Sequence, residues 1–142
     1  MTGFLLDTNV IVEPQRRLPD ARALSWLNSV DDAELYLSAF TFAELRKGIA
    51  KLRDGARARL LERDMARLRA RFEGRILPVD DGVLDRWGRI TGSAAAIGKP
   101  MSGIDAIFAA TALQHDLTLV TRNERHMEMS GVALLNPWRA TE

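Results

Sequence analysis

Short apolar runs alternate with longer helical patterns along the chain, and this alternation restricts the fold more than any other feature. Apolar runs of a few residues are typical of buried strands, whereas apolar residues spaced three or four apart are typical of surface helices. Parallel strands need a crossover between them, which is usually a helix. The order therefore predicts an α/β fold with a mainly parallel five-stranded sheet flanked by helices, in a single domain over residues 1–142.

The bounds of the predicted elements follow from apolar periodicity and from Gly, Pro and capping residues. We expect strands at 4–6, 35–38, 76–79, 117–121 and 132–135. We expect helices at 19–30, 41–52, 56–72, 81–97 and 102–115.

Composition excludes several kinds of site. The chain has no cysteine and only two histidines, which excludes disulfides, thiolate zinc sites and a three-histidine metal site. A metal must therefore be held mainly by oxygen. No run approaches the ~20 apolar residues of a membrane span, and the start has no basic region typical of a secretory signal. We expect a cytoplasmic protein that does not bind membranes.

Charge is distributed unevenly. The net charge is only +1, but residues 46–75 carry eleven basic and four acidic side chains, so this segment has a charge of +7 and the remainder −6. Such an uneven field can steer a polyanion towards the protein.

Acidic side chains fall near the predicted carboxyl ends of strands, where ligands bind in parallel α/β sheets. Asp7 ends the first strand, Glu44 is predicted in the first turn of the helix after the second, and Asp105 opens the helix before the fourth. Asn123 follows that fourth strand. Taken singly, each has a structural explanation: residues 41–44 and 102–105 match the spacing of helix capping boxes, and the others suit turns.

The shared location favours a functional role over these separate explanations. Three carboxylates at one edge of a sheet repel one another unless a cation neutralises them, and Mg²⁺ or Mn²⁺ prefers such oxygen ligands. A metal held in this way suits the hydrolysis of phosphodiester bonds.

Ordered motifs in the chain resemble the PIN-domain family, in particular the VapC toxins of bacterial toxin–antitoxin pairs. The motifs are LDTNVI at 6–11, TFAELRKG at 41–48, GIDA at 103–106 with AATA at 109–112, and LVTRN at 119–123. RILP at 75–78 and LNPW at 135–138 look especially like the FitB branch. The resemblance implies a single PIN-like domain over residues 1–142. It also implies a Mg²⁺- or Mn²⁺-dependent endoribonuclease that dimerises, is inhibited by a VapB-type antitoxin and reaches operator DNA through it.

The resemblance also implies roles for individual residues. Asp7, Glu44 and Asp105 would bind the metal, and Thr8 or Asn9 and Thr121 would support them or position water. The family often has a fourth acid at or shortly after position 123. Here Asn123 is an amide and position 126 is His126, so we expect one tightly held ion, with Asn123 still counted among the catalytic residues.

Basic residues offer sites for RNA. Arg46 and Lys47 lie beside Glu44 in sequence, and Arg122 beside Thr121, so these three are candidates for holding substrate. The helix at 56–72 carries a stripe of Arg59, Arg63, Arg67 and Arg71. This stripe is compatible with RNA binding, with a solvated face paired to Glu62 and Asp64, or with contact to an antitoxin.

Two other functions compete with the nuclease. One is a non-catalytic subunit that binds DNA with an antitoxin and represses transcription, which the amide at Asn123 leaves open. The other, a phosphoryl-accepting receiver domain, is disfavoured because the first strand is not followed by adjacent acids and no distinctive late lysine is present.

Overall fold

The computed structural model describes residues 3–139, and within them strands and helices alternate as predicted. The strands are β1 (Phe4–Leu6), β2 (Leu35–Ser38), β3 (Ile76–Leu77), β4 (Thr118–Val120) and β5 (Leu134–Leu135). The helices are α1 (Thr8–Val12), α2 (Ala21–Ser29), α3 (Ala39–Ala50), α4 (Gly55–Arg71), α5 (Asp81–Ala96), α6 (Gly103–Gln114) and α7 (Glu124–Met127). No helix of this described part of the chain is long and apolar enough to cross a membrane.

The described strands form a parallel sheet in the order β3-β2-β1-β4-β5, which confirms the predicted α/β class. The central strand β1 pairs Phe4 with Leu35 of β2 on one side and with Thr118 of β4 on the other. Because the strands are parallel, their carboxyl ends share one edge of the sheet, and the residues that follow β1, β2 and β4 become neighbours there.

The core lies on both faces of this sheet. Successive residues of a strand point to opposite faces, so Leu6 packs with Phe42 and Phe72 on one face while Leu5 packs with Phe108 on the other. The first cluster is contributed by α1 to α4, and the second mainly by α6 and α7. Burial on both faces explains why the central strands are continuously apolar.

The start of α3 differs from the sequence prediction. The helix begins at Ala39 and is capped by Ser38, whose hydroxyl accepts the Phe40 N–H at 3.0 Å. The predicted capping box at Thr41 is therefore wrong, and Glu44 lies in the second turn of the helix. By contrast, Ser102 caps α6 as its spacing suggested, accepting the Asp105 N–H at 3.5 Å.

Two short helices were not predicted. α1 has five residues and α7 has four, which is too short for a periodic apolar signal. His126 lies in α7. β3 is shorter than predicted because it ends before Pro78, which has no N–H to donate to a neighbouring strand.

The turn after α1 is organised by a buried acid. Glu13 is only 2% exposed, and its carboxylate accepts the Asp20 N–H at 2.9 Å and contacts the Arg16 guanidinium at 3.4 Å. The hydrogen bond from Asp20, assisted by Arg16, lowers the pKa of Glu13 despite its burial. The ionised carboxylate therefore ties the beginning of this turn to its end.

Replacing Glu13 by Gln should destabilise the protein by about 1–3 kcal/mol at neutral pH, because charge-assisted hydrogen bonds become neutral ones. The folded-state pKa of Glu13 is lowered, so its contribution is present above the unfolded pKa and disappears as pH falls through the folded value. Urea denaturation at several pH values measures this difference. Glu73→Gln, at an exposed position, is the control and should change stability little. An equal loss at acidic and neutral pH would contradict the role of the charge.

Candidate active site

The predicted acids lie at the carboxyl edge of the sheet. Asp7 directly follows the central strand β1, and its backbone N–H bonds the Val120 carbonyl of β4 at 3.0 Å. Glu44 is carried by α3, which follows β2 without a loop, and Asp105 lies in the first turn of α6. The helices α3 and α6, which are distant from β1 in sequence, thus bring Glu44 and Asp105 towards Asp7.

Asp7 is held by a buried hydroxyl. It is 6% exposed, and Thr121 at the end of β4 donates a hydrogen bond of 2.8 Å to its Oδ2. Burial raises the pKa of Asp7, the Thr121 hydrogen bond opposes this rise, and the negative charges of Glu44 and Asp105 add to it. The last two contributions place Glu44 and Asp105 within electrostatic range of Asp7.

A chain of hydroxyls holds Glu44. The Thr8 hydroxyl donates to Oε1 of Glu44 at 2.7 Å and lies 3.0 Å from the hydroxyl of Thr41, which is fully buried. Since Thr8 has one proton and gives it to Glu44, Thr41 must be the donor to Thr8. Sequence reasoning missed this role of Thr41, because its spacing from Glu44 suggested a cap.

Asp105 is half-buried and has a different neighbour. Burial raises the pKa of Asp105, and the positive form of His126 in α7 opposes the rise. This effect puts His126 near Asp105. The signal that could have found it is the family pattern, since an acid is expected at this place in the chain.

The donor chemistry fits a hydrated magnesium or manganese ion. Among residues 3–139, no three Asp, Glu or His side chains lie close enough to form a ready-made metal cluster. Mg²⁺, however, is usually held by one or two carboxylates and keeps several waters, so a compact three-acid cage is not required. The carboxylates that influence Asp7 supply hard oxygen donors of this kind. The metal itself stays a prediction.

The two amides lie at the site in different ways. Asn9 is exposed on α1, and its backbone N–H helps to lower the pKa of Asp7. Asn123 begins α7, and its backbone N–H donates to the Thr121 hydroxyl at 3.1 Å. Asn123 therefore supports the hydroxyl that binds Asp7, through its backbone and not through its side chain.

The candidate RNA-binding residues differ in their pairing. Arg46 forms a two-pronged ion pair with Glu62 of α4, with Nη2 to Oε2 at 3.1 Å, so its charge is already balanced. Lys47 is exposed and Arg122 stacks on the Trp138 ring, and neither forms an ion pair with any residue of 3–139.

In the arginine stripe on α4, two side chains have a carboxylate partner and two have none within the described residues. Arg71 binds Asp32 through two hydrogen bonds of 2.7 and 2.9 Å, and Arg67 lies 3.9 Å from Asp64. Arg59 and Arg63 have no carboxylate partner in the described part of the chain. Half of the stripe is therefore paired as a solvated face would be, and half is available to another molecule.

Comparison with known proteins agrees with this geometry. The family model of the PIN domain matches residues 4–132, which is most of the chain. The chain belongs to the PIN-domain family. Toxin FitB of Neisseria gonorrhoeae is 44% identical over 136 residues, covering 95% of this chain and 98% of that protein. VapC ribonuclease Y4jK of Sinorhizobium fredii is 34% identical, with coverage of 95% and 97%.

Solved structures support the same assignment. The structure of FitAB bound to an IR36 DNA fragment matches with a TM-score of 0.91 and 40% identity, covering 98% of both chains. The structure of FitAcB from Neisseria gonorrhoeae matches with a TM-score of 0.90 and 41% identity, covering 96% of this chain and 99% of that one. The similarity therefore extends over the candidate site.

Asp7→Asn should stabilise the protein in the absence of metal. The folded-state pKa of Asp7 is raised, so its ionised form opposes folding above that pKa and ceases to do so as pH falls through it. The amide keeps an oxygen for Thr121 and removes the charge. We expect a melting temperature higher by about 2–5 °C at neutral pH in EDTA, measured by calorimetry.

Asp85→Asn is the matched control, because Asp85 is exposed and paired only with Arg89 on the same helix. It should leave the melting temperature nearly unchanged or slightly lower. A lower melting temperature for Asp7→Asn in EDTA would show that repulsion at this edge is not a cost to folding.

Proposed function

We propose that the chain is a Mg²⁺- or Mn²⁺-dependent endoribonuclease and the toxin of a toxin–antitoxin pair. The observation that supports this most is that Asp7 is buried and its pKa is raised by that burial and by the charges of Glu44 and Asp105. Such an arrangement opposes folding at neutral pH unless a cation balances it. Membership of the PIN-domain family and similarity to a VapC ribonuclease agree with RNA hydrolysis.

In this proposal the chain's own residues orient oxygen atoms. Thr121 keeps Asp7 in one orientation, and the Thr41–Thr8 hydroxyl chain does the same for Glu44. Asp105 completes the set from α6, so that a dication would be held by Asp7, Glu44 and Asp105 with waters. When bound, the metal supplies a Lewis acid that offsets charge on the phosphate and activates water.

The substrate is held beside these acids by positive charge. Lys47, one turn or less along α3 from Glu44, and Arg122, next to Thr121, are close in sequence to the site residues and form no ion pair with any residue of 3–139. Arg46 contributes less, because leaving Glu62 would cost its two hydrogen bonds. Neutralising RNA phosphates in this way gives an affinity that falls with salt.

The antitoxin is proposed to occupy an apolar groove. The groove has a volume of about 550 Å³ and lies between α1, α3 and α4, lined by apolar residues such as Ile11, Leu45, Ile49, Leu61 and Leu68. Glu44 lines the same groove, so a segment seated there would also cover the candidate site. FitAB and the Klebsiella pneumoniae toxin–antitoxin complex are relatives that occur with a partner. A VapB-type antitoxin that carries a homodimer of this chain to operator DNA fits these observations.

A non-catalytic role in DNA-bound repression is the second candidate, since FitAB is seen bound to DNA. The two candidates differ in one requirement. Repression needs the groove and the antitoxin, whereas cleavage also needs ionised oxygens at Asp7, Glu44 and Asp105.

Purified protein should cut RNA only when Mg²⁺ or Mn²⁺ is present. Asp7→Asn, Glu44→Gln and Asp105→Asn should each reduce the rate by at least about a hundredfold, because each removes a charged metal ligand. Total RNA incubated with and without Mn²⁺, followed by mapping of cut ends, measures this. Glu34→Gln, at the opposite end of β2, is the control and should keep full activity. Full activity in all three folded site variants would refute the nuclease proposal.

Expression of the chain without an antitoxin should arrest bacterial growth, because uninhibited RNA cleavage blocks translation. Asp7→Asn should abolish the arrest while leaving the protein folded and present, which quantitative immunoblotting checks. The non-catalytic alternative makes a different prediction, since a repressor subunit would affect growth equally with Asp or Asn at position 7.

A further inference from the structure

A second cavity, which unlike the first is polar, lies beside the acids, between the turn that follows α1 and the end of β4. Its volume is about 590 Å³, and it is lined by Glu13, the residues 16–21, Arg122 and Trp138. Arg122 directly follows Thr121, whose hydroxyl binds Asp7, so one wall of the cavity is joined to the candidate site. An RNA chain that reaches the acids from the side of Arg122 must pass the cavity.

The carboxylates of this cavity are used within the protein. Glu13 accepts the Asp20 N–H and contacts Arg16. Asp20 caps α2, accepting the N–H groups of Arg22 and Ala23. Both acids are thus engaged in holding the turn in place.

The positive charges of two arginines in the cavity are not balanced by an ion pair within the described residues. Arg17 and Arg122 line it, and neither forms an ion pair with any residue between 3 and 139. The Glu13–Asp20 hydrogen bond fixes the turn that carries Arg17, so this charge is presented from an anchored backbone. The cavity therefore has an excess of positive charge facing a polar space.

Trp138 restricts what this charge can recognise. The guanidinium carbon of Arg122 lies 5.5 Å from the centroid of the Trp138 ring, a cation–π distance that orients the arginine at the cavity wall. The ring itself is only 6% exposed, so a nucleobase has no free face on which to stack. The accessible groups are guanidinium donors, which suit the oxygens of a phosphate.

We propose that this cavity, with Arg17 and Arg122, binds a backbone phosphate of the RNA strand on one side of the bond that is cut. The proposal rests on the proposed function for its ligand, and it adds a subsite that recognises the backbone without reading sequence. A carboxylate-rich protein segment is the competing ligand. RNA is favoured because the cavity is joined to the acids through Thr121, where the substrate must lie.

The test measures RNA affinity without cleavage. A fluorescein-labelled single-stranded RNA is titrated with the full chain in EDTA at several salt concentrations, and anisotropy reports binding. Arg17→Ala and Arg122→Ala should each weaken binding roughly fivefold and make the slope of log affinity against log salt shallower by about 0.7. Arg122→Lys keeps the charge and should lose less affinity than Arg122→Ala.

Arg86→Ala is the matched control, since Arg86 is also exposed and without an ion pair in the described residues but lies on α5, where it bonds the neutral side chain of Gln114. It should bind like the unchanged protein. Equal weakening by Arg86→Ala and Arg17→Ala would overturn the proposal, because binding would then follow overall charge. Arg17 lies on an exposed turn, so its variant keeps the test valid even if Arg122→Ala disturbs the packing of Trp138.

Measuring RNA cleavage by the same variants tells the failure of the RNA subsite apart from the failure of the nuclease proposal. If Arg17→Ala raises KM for RNA and leaves kcat within about twofold, both stand. If the chain binds RNA through Arg17 but shows no metal-dependent cleavage, the subsite stands and the nuclease fails. If cleavage and RNA affinity are unchanged but assembly with the antitoxin is weakened, the cavity belongs to a protein partner and the RNA subsite is refuted.

Discussion

Burial of the Asp7 carboxylate at the carboxyl edge of the sheet, with the charges of Glu44 and Asp105 nearby, is the constraint on which the rest of the site depends. Parallel pairing of β1 with β2 and β4 brings Asp7, Glu44 and Asp105 within electrostatic reach of one another. The free-energy cost of burying charge falls mainly on Asp7, because it is the most buried of the three acids. The same backbone would be more stable with fewer charges there, and the proposed cation would offset this cost.

Hydroxyl groups make this arrangement tolerable. Thr121 donates to Asp7, and Thr41 donates through Thr8 to Glu44. The carboxylates of Asp7 and Glu44 therefore keep a hydrogen bond where the fold removes them from bulk water. A hydroxyl adds no charge, and therefore it orients a carboxylate without neutralising it as an arginine would. Arg46, two residues from Glu44 on α3, is paired with Glu62 on α4. The carboxylates are thus oriented by hydroxyl groups and not by an ion pair with arginine.

The sequence was sufficient for the sheet and for the edge at which the acids lie, and insufficient for the contacts between them. Alternating apolar runs and helical patterns predict a mainly parallel sheet because only a few topologies suit them. The start of α3 was missed because Ser38 and Thr41 are both good capping residues, and tertiary packing decides between them. The Thr41–Thr8 contact and the Arg46–Glu62 pair join residues 33 and 16 positions apart, so no local pattern could reveal them.

The amide at position 123 follows from the same electrostatics. Asn123 supports Thr121 through its backbone N–H, a contribution that any residue other than proline can make. An acid there would add a fourth negative charge beside Asp7 and the two acids that raise its pKa, and would need a second cation to offset it. With the amide, the acids at this edge are limited, within the described residues, to Asp7, Glu44 and Asp105. We therefore expect the site to balance with one divalent cation.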